Sequence, residues 1–313
     1  MTILVEKSGL YASIRDSGRF GYRNLGVNPG GASDIAALRT VNLLLGNDEY
    51  EAAIETYFPA PVFLFETETS FAIGGGNFEP ELDGMNIIMN SVIRAKAGSR
   101  LRFRRKVRGN ISVISIKDGL YVPTILRSKS LNSAAGFGGF EGRTLQTGDR
   151  IRISGGIVSS AQIVGTIPTY VQNPVLRVLP GPDFKSITAL GLLRFLEGGF
   201  EITRQSNRMG YRLFGKAITL LDDSERISSA VTYGTIQCLP DGGLTVLMAD
   251  HQTTGGYPNL ATVITADLPV LAQTSVGQTL RFEVADEFEA ISALQMQERD
   301  FAFLKAGLKL NRK

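Results

Sequence analysis

The sequence predicts a mainly β protein, with two β-barrel domains covered by a few helices. Three observations lead to this fold class. The chain has 313 residues, more than a single hydrophobic core usually holds. Its 35 glycines, against no tryptophan, indicate many tight turns rather than long packed helices. Apolar or alternating runs of strand length recur between glycine turns along most of the chain.

The strand signals are runs of four to six residues with high β-propensity. Three of them are Val62–Phe65, Ser70–Ile73 and Ile111–Ile116. A further template, a glycine turn followed by alternating apolar and cationic residues, occurs at Gly98–Phe103, Gly148–Ile153 and Gly277–Phe282. Such alternation is expected of a half-buried strand. We interpret the repeated template as strands in equivalent places of duplicated barrels.

Helical signals are fewer. A helix is predicted to follow Asp34, a favourable N-cap, and to end before Gly46, a favourable C-cap. Residues 186–196 and 286–305 also carry helical spacing.

The domain boundary is predicted near the middle of the chain. Residues 168–174 begin and end with proline, interrupt the periodicity and precede a new strand. We therefore predict an N-terminal β-barrel domain over residues 1–165 and a C-terminal β-barrel domain over residues 166–313.

Composition excludes several classes of protein. A single cysteine, Cys238, excludes an internal disulfide framework and a cysteine-cluster metal site, and a single histidine excludes a multi-histidine metal site. No run approaches about 18 apolar residues and no secretory signal opens the chain, so we expect no membrane partner and a cytoplasmic location. Net charge +3 gives no case for nucleic acid. The cation-rich stretch 96–108 lacks interleaved stacking aromatics and is interpreted as the solvent face of a hairpin.

The segment richest in convergent polar groups is 249–258, which follows a predicted strand. Asp250 and His251 could act as acid and base, and neutral donors and acceptors follow at Gln252, Thr253 and Thr254, before Gly255. Alternatively, the segment is a hairpin turn whose threonines satisfy their own backbone, with a structural histidine. We predict that the loop contacts a ligand.

A second polar cluster spans 204–213. Its three arginines, among Ser206 and Asn207, could hold a carboxylate or phosphate at two points. Alternatively, Ser206 and Asn207 only form a turn. We favour a functional role for Arg208 and a structural one for Arg204 and Arg212.

A third cluster, 14–34, combines glycines with opposed charges. It could be a rigid loop that binds an anion at a helix N-terminus, or an arginine–aspartate network that fixes a loop. Neither a phosphate-binding G-x-x-x-x-G-K-[ST] loop nor a G-x-S-x-G nucleophile elbow occurs in the sequence.

These motifs resemble a known family. The segments that carry the resemblance, in order, are Asp16–Tyr22, Gly31–Asp34, Leu179–Pro182, Ser206–Gly210, Gly234–Gln237 and Asp250–Pro258. The chain resembles the biotin-dependent carboxyltransferase-like family, which includes the C subunit of 5-oxoprolinase, the KipI antagonist KipA and the second allophanate-hydrolase-like subunit. Where the family often has an acid, this sequence has Ser229.

The resemblance implies cyclophilin-like barrels and a partner that is a KipI-like or B-like subunit, together with an A-like subunit. It implies an ATP-dependent subunit, with magnesium, that opens 5-oxoproline to glutamate. Within that activity, Arg208 would stabilise oxyanion or phosphate charge, and His251 or Asp250 would move a proton. Ser206, Asn207, Gln252, Thr253, Thr254 and Gly255 would bind the small-molecule substrate. No metal site is predicted in this chain.

Two alternatives remain open at this point. The chain could be a biotin-dependent carboxyltransferase subunit of the urea carboxylase kind, which would bind biotin or a biotinyl carrier protein. It could also be a non-enzymatic antagonist of a KipI-like kinase inhibitor, an interpretation that the missing carboxylate at Ser229 favours.

Overall fold

The structure is a computed structural model that describes residues 1–158, 170–222 and 226–311. The chain divides into two compact units. Among the described residues, the first unit contains 1–20, 30–158 and 299–311, and the second contains 21–29, 170–222 and 226–298. The boundary predicted between residues 165 and 166 lies outside the described residues.

The described residues of the first unit contain two sheets and one helix that lies wholly within the unit. Its strands are β1 (Thr2–Lys7), β2 (Ala12–Arg15), β3 (Ala53–Thr56), β4 (Val62–Phe65), β5 (Thr69–Asn77), β6 (Pro80–Leu82), β7 (Met85–Asn86), β8 (Ile93–Ala95), β9 (Arg100–Phe103), β10 (Arg108–Ile116) and β11 (Arg150–Arg152). One sheet has the order β11-β1-β4-β9-β6-β7 and the other β2-β3-β10-β5-β8. Apolar side chains of both sheets form one core, in which Phe65 and Phe71 stack at 4.9 Å between ring centroids.

Helix α1 (Ile35–Leu45) packs on β5 and β10 of this unit. The Asp34 side chain accepts a hydrogen bond from the backbone N–H of Ala37 at 2.8 Å, and Gly46 closes the helix with φ 71°. Both predicted caps are confirmed. An uncapped helix end would leave backbone groups unsatisfied, so these two residues fix where the helix begins and ends.

The second unit is built on a closed barrel. Its strands are β12 (Val175–Pro180), β13 (Phe200–Ile202), β14 (Gly210–Phe214), β15 (Ser229–Ala230), β16 (Thr235–Cys238), β17 (Leu244–Leu247), β18 (Thr254–Gly255), β19 (Asn259–Val263) and β20 (Thr279–Val284). The barrel order is β12-β19-β16-β17-β14-β13-β20, and β15 and β18 form a separate two-stranded sheet. Helices α2 (Ala189–Glu197) and α3 (Leu268–Gln273) belong to this unit, and Phe195 of α2 stacks on Phe282 at 5.0 Å.

The last helix, α4 (Glu287–Asn311), begins with a reciprocal capping box. Asp286 accepts from the backbone N–H of Glu289 at 2.8 Å, and Glu289 accepts from the backbone N–H of Asp286 at 2.9 Å. Within the first unit, the Arg39 guanidinium lies 3.8 Å from the ring centroid of buried Phe301. No helix in the described ranges is both long and apolar enough to cross a lipid bilayer.

The predicted mainly β fold class is confirmed. The three repeated strand templates became β9, β11 and β20, but β9 and β11 lie in the same sheet of the first unit. They are therefore not equivalent strands of two barrels. The template indicates only a strand that follows a glycine turn and is buried on one face. Such strands occur at unrelated places in a fold, so the shared template does not make them equivalent.

Candidate functional site

A pair of barrel strands brings two predicted site segments together. Strand β14 pairs antiparallel with β17, and Gly210 lies opposite Leu247. The segment before β14 and the segment after β17 therefore emerge at the same end of this strand pair. The backbone N–H of Asp250 donates to the carbonyl of Arg208 at 2.8 Å, and that of Met248 donates to the carbonyl of Met209 at 3.0 Å.

Arg208 and Asp250 form a two-point ion pair at this junction. Nε of Arg208 lies 2.9 Å from Oδ2 of Asp250, and Nη2 lies 3.1 Å from Oδ1. Arg208 is only 7% exposed. A planar guanidinium and a carboxylate held at two points lock each other's orientation. The pair therefore fixes the two segments to each other, and the Arg208 charge that was predicted to meet substrate already faces Asp250.

His251 is 1% exposed. Its Nδ1 lies 2.5 Å from the carbonyl oxygen of Gln252. A carbonyl can only accept, so we assign the proton of the neutral ring to Nδ1, which leaves Nε2 as the basic nitrogen. Burial lowers the pKa of His251 below its ordinary value of 6.5; the hydrogen bond to the Gln252 carbonyl and the charge of Asp250 oppose this, and the positive charge of Arg23 adds to it. The ring is therefore neutral at neutral pH.

The segment Gly21–Pro29, from near the N-terminus, belongs to the same unit as this loop. Nδ2 of Asn28 donates to the carbonyls of Asp250 at 2.8 Å and His251 at 3.1 Å. The Arg23 guanidinium donates to the carbonyl of Val231. Neither Asn28 nor Arg23 is among the site residues predicted from the sequence. Only their position in a glycine-rich polar stretch hinted at a role.

The rest of the third cluster lies in the first unit and forms a network that fixes a loop. Asp16 accepts from the hydroxyls of Ser128 at 2.7 Å and Ser130 at 2.6 Å. Arg15 donates to the carbonyls of Gly30 at 2.8 Å and Leu131 at 2.7 Å. Each of these contacts joins residues 14–20 to a different part of the chain. They therefore support the interpretation that this segment is a structural network.

The two predicted substrate-binding residues just before β14 form hydrogen bonds within their own turn. Oδ1 of Asn207 accepts from the backbone N–H of Met209 at 2.8 Å, and Oγ of Ser206 accepts from that of Arg212 at 3.0 Å. These are local side-chain–backbone bonds typical of turns. Asn207 is exposed and Ser206 is half-buried.

The other predicted binding residues follow His251 and lie nearer the surface. Gln252 and Thr254 are exposed, and Thr253 and Gly255 are half-buried. Ser229, which lacks the family's carboxylate, pairs with Gly255 across β15 and β18. The substrate-binding roles of these residues remain a prediction.

Gly255 lies where a side chain would not fit. A Cβ at this position would lie 2.5 Å from Nε2 of Gln237, which is buried and donates to Oδ1 of Asn259 at 3.0 Å. Nδ2 of Asn259 in turn donates to Oγ of Ser229 at 3.1 Å. The glycine therefore allows β18 to approach this hydrogen-bonded series.

A cavity of about 680 Å³ lies beside the end of the loop. Gly256, Tyr257 and Pro258 line one side, with buried Cys238 and half-buried Arg226 among the other lining residues. Its volume is in the range of small-molecule sites. In the described parts of the chain, no three or more His, Cys, Asp or Glu side chains cluster in a way that could hold a metal ion.

The low pKa of His251 predicts how stability depends on pH. The unfolded chain, with an ordinary pKa near 6.5, takes up the histidine proton before the folded chain does. The free energy of unfolding should therefore fall as pH drops below about 6.5, until the pH passes the folded-state pKa. Hydrogen exchange of the backbone amides of Tyr211 and Val246 in the second unit, corrected for intrinsic exchange and measured for the wild type and His251→Gln at about pH 7.5 and pH 5.5, tests this. The wild type should lose more stability than the variant, and a variant that loses as much would contradict the prediction.

The second unit is a closed barrel that carries a buried ion pair and a buried histidine at the end of one strand. These features define a β-barrel protein with a polar site in a loop. Residues 25–284 match the carboxyltransferase domain, subdomain A and B. The chain belongs to this family.

Similar proteins extend this assignment. The chain is 37% identical to the C subunit of 5-oxoprolinase from Escherichia coli, over 94% of this chain and 95% of that protein. It is 34% identical to the C subunit of 5-oxoprolinase from Haemophilus influenzae, over 92% of each. The solved structure of Kluyveromyces lactis urea carboxylase superimposes with a TM-score of 0.89 at 25% identity. That match covers 98% of this chain but 29% of the urea carboxylase chain, so this chain corresponds to one part of that larger protein.

Proposed function

We propose that this chain is the C subunit of an ATP-dependent 5-oxoprolinase, which opens the ring of 5-oxoproline to give glutamate. The observation that carries the proposal is the match to subunits of that name over nearly their whole length, 95% in one case. The urea carboxylase relatives share the fold but contain much additional chain. A relative that matches over 94% of this chain and 95% of its own length is the better guide to what this chain does.

The chemistry of the substrate defines what the site must do. A lactam is stabilised by resonance, so transfer of the γ-phosphoryl group of ATP to its carbonyl oxygen, with release of ADP, makes the ring carbon a better electrophile. Water then adds to that carbon and loses a proton, and the ring C–N bond breaks as the nitrogen gains a proton. Hydrolysis of the resulting acyl phosphate releases phosphate and leaves glutamate. Charge on the carbonyl oxygen must be stabilised and a proton must be moved. We propose that Nε2 of His251 takes the proton of the attacking water. The Arg208–Asp250 pair would hold the loop in place, and Gln252 and Thr253 would orient the ring.

The complex would contain a B-like subunit of the KipI type together with an A-like subunit, and would use ATP with magnesium as cosubstrate. Relatives that are named as subunits support a multi-subunit assembly. We propose the cytoplasm as the compartment, because a chain with one cysteine has no disulfide framework to maintain.

The decisive experiment is co-expression of this chain with its A-like and B-like subunits, followed by an assay of 5-oxoproline-dependent ATP hydrolysis. We expect ATP turnover and glutamate release in equal amounts, and neither when this chain is left out. A tight complex without ATP turnover would contradict the proposal and favour the antagonist of a KipI-like inhibitor.

The match to the carboxyltransferase family favours one second candidate, carboxyl transfer from a biotinylated carrier. That function requires the chain to bind biotin or a biotinyl carrier protein. Calorimetric titration with both tests it: saturable binding, together with inactivity towards 5-oxoproline, would replace the first proposal by the second.

A further inference from the structure

A second cation, Arg23, lies beside the loop around His251. It differs from Arg208 in the groups that its charge faces. Arg208 is buried and faces the carboxylate of Asp250 at two points. Arg23 is half-buried, and within the described parts of the chain no carboxylate forms an ion pair with it. Its hydrogen-bond acceptor is a neutral backbone carbonyl, that of Val231.

Backbone contacts fix the position of Arg23 relative to the loop. Val231, which accepts from Arg23, donates its own N–H to the carbonyl of Thr253 at 3.2 Å. At the other end of the segment, Asn28 holds the carbonyls of Asp250 and His251. The segment 21–29 is thus attached to both sides of the loop, and the charge of Arg23 acts on the His251 ring.

A half-buried guanidinium that faces no carboxylate favours an anion, because it has already lost part of its hydration and a charge-assisted hydrogen bond to an anion offsets that loss. The flanking groups fit this. The ring of His251 is neutral, the charge of Asp250 is already met by Arg208, and Gln252 and Thr254 offer exposed neutral donors. Asp250 is the one negative charge among these groups; its carboxylate raises the pKa of the ring, and its pairing with Arg208 reduces its repulsion of an oxyanion.

We infer that Arg23 is the anion-binding residue of the His251 site and holds an anionic oxygen group of the substrate, either a carboxylate or a phosphoryl group. The inference rests on the proposed function for the identity of the substrate. The carboxylate would be that of 5-oxoproline, and the phosphoryl group would come from ATP. In both cases the anion lies beside the neutral imidazole.

The single histidine of the chain makes a direct test possible, because its imidazole resonances are unique. This chain is labelled with ¹⁵N-histidine and assembled with its unlabelled partner subunits. The His251 pKa and the dissociation constants are then measured with 5-oxoproline, with pyrrolidin-2-one, which lacks the carboxylate, and with inorganic phosphate. The variants are Arg23→Gln and the matched control Arg212→Gln, whose exposed arginine pairs with Asp241 in the same unit.

In the wild type, the bound anion should raise the His251 pKa, since it adds a negative charge beside Arg23. Arg23→Gln should raise that pKa without any ligand and should abolish the anion's effect. It should also weaken anion binding about 10- to 100-fold, with the control unchanged. A loss confined to 5-oxoproline identifies the carboxylate as the bound group, and a loss confined to phosphate identifies the phosphoryl group.

Two results would overturn the inference. One is an anion affinity that Arg23→Gln leaves equal to that of Arg212→Gln, and the other is a wild-type His251 that responds to no anion. The ATP turnover assay tests the proposed function separately. A complex that binds phosphate at Arg23 but never releases glutamate would support the anion site and contradict only the 5-oxoprolinase activity.

Discussion

Replacing Asp250 with alanine is expected to lower the free energy of unfolding of the second unit by about 3–5 kcal/mol. The variant leaves Arg208, 7% exposed, without the carboxylate that it meets at two points. Removing one partner of a buried pair costs more than the pair itself contributes, because a charge then remains buried without its counter-charge. The loop that carries His251 should loosen as well.

The two units need not unfold together, so the measurement should report on the second unit alone. Hydrogen exchange of the backbone amides of Tyr211 and Val246, which pair across β14 and β17, does this. The control is Asp241→Ala, which breaks the exposed pair with Arg212 and should cost less than about 1 kcal/mol. The double variant Arg208→Met/Asp250→Leu should recover part of the loss. Equal, small effects of Asp250→Ala and Asp241→Ala would contradict a structural role for the pair.

The local elements of the fold could be predicted from the sequence because their signals are local. Asp34 and Gly46 define α1 through groups within a few residues of themselves. The four-residue apolar run Val62–Phe65 is β4 without change. The two polar clusters could also be predicted as loops at strand ends, since each lies next to a strand signal in the sequence, but the pairing of β14 with β17 is a tertiary property.

The pairing within the site could not be predicted in the same way. Sequence spacing does not show that Asp250, rather than another acid, faces Arg208, since the two are 42 residues apart. The burial of His251 was equally hidden, because its neighbours in sequence are polar and suggest a surface loop. Burial depends on which distant segment covers a residue, and that is a tertiary property.

The segment 21–29 shows the same limit most clearly. A division of the chain at one point assigns Arg23 and Asn28 to the first domain, whereas Arg23 contacts Val231 and Asn28 contacts the His251 loop, both in the second unit. Their contacts are to backbone carbonyls more than 200 residues away. Backbone acceptors exist at every position, so no side-chain pattern in the sequence reveals such a partner.

Replacing His251 with alanine in the reconstituted complex should lower kcat for 5-oxoproline-dependent ATP hydrolysis by about 100-fold or more. The reason is the state of the ring: Nδ1 faces the carbonyl of Gln252, which leaves Nε2 as the basic nitrogen, and burial keeps the imidazole neutral. Gln273→Ala, which removes another buried polar side chain from the same unit, controls for general loss of packing. A folded His251→Ala variant within about threefold of the wild-type rate would remove His251 from the chemistry.

The pH profile separates a proton-transfer role from a purely structural one. If neutral His251 is the base, kcat/KM for 5-oxoproline should stay constant as pH falls to about 6.5 and should decline only at lower pH, because burial and Arg23 lower the pKa of the ring. His251→Gln keeps a polar group beneath the loop but cannot take up a proton in this range. It should therefore be stable yet slow, and its residual rate should lose the acid limb assigned to His251. A His251→Gln variant that keeps both the wild-type rate and the wild-type profile would show that the ring only supports the loop.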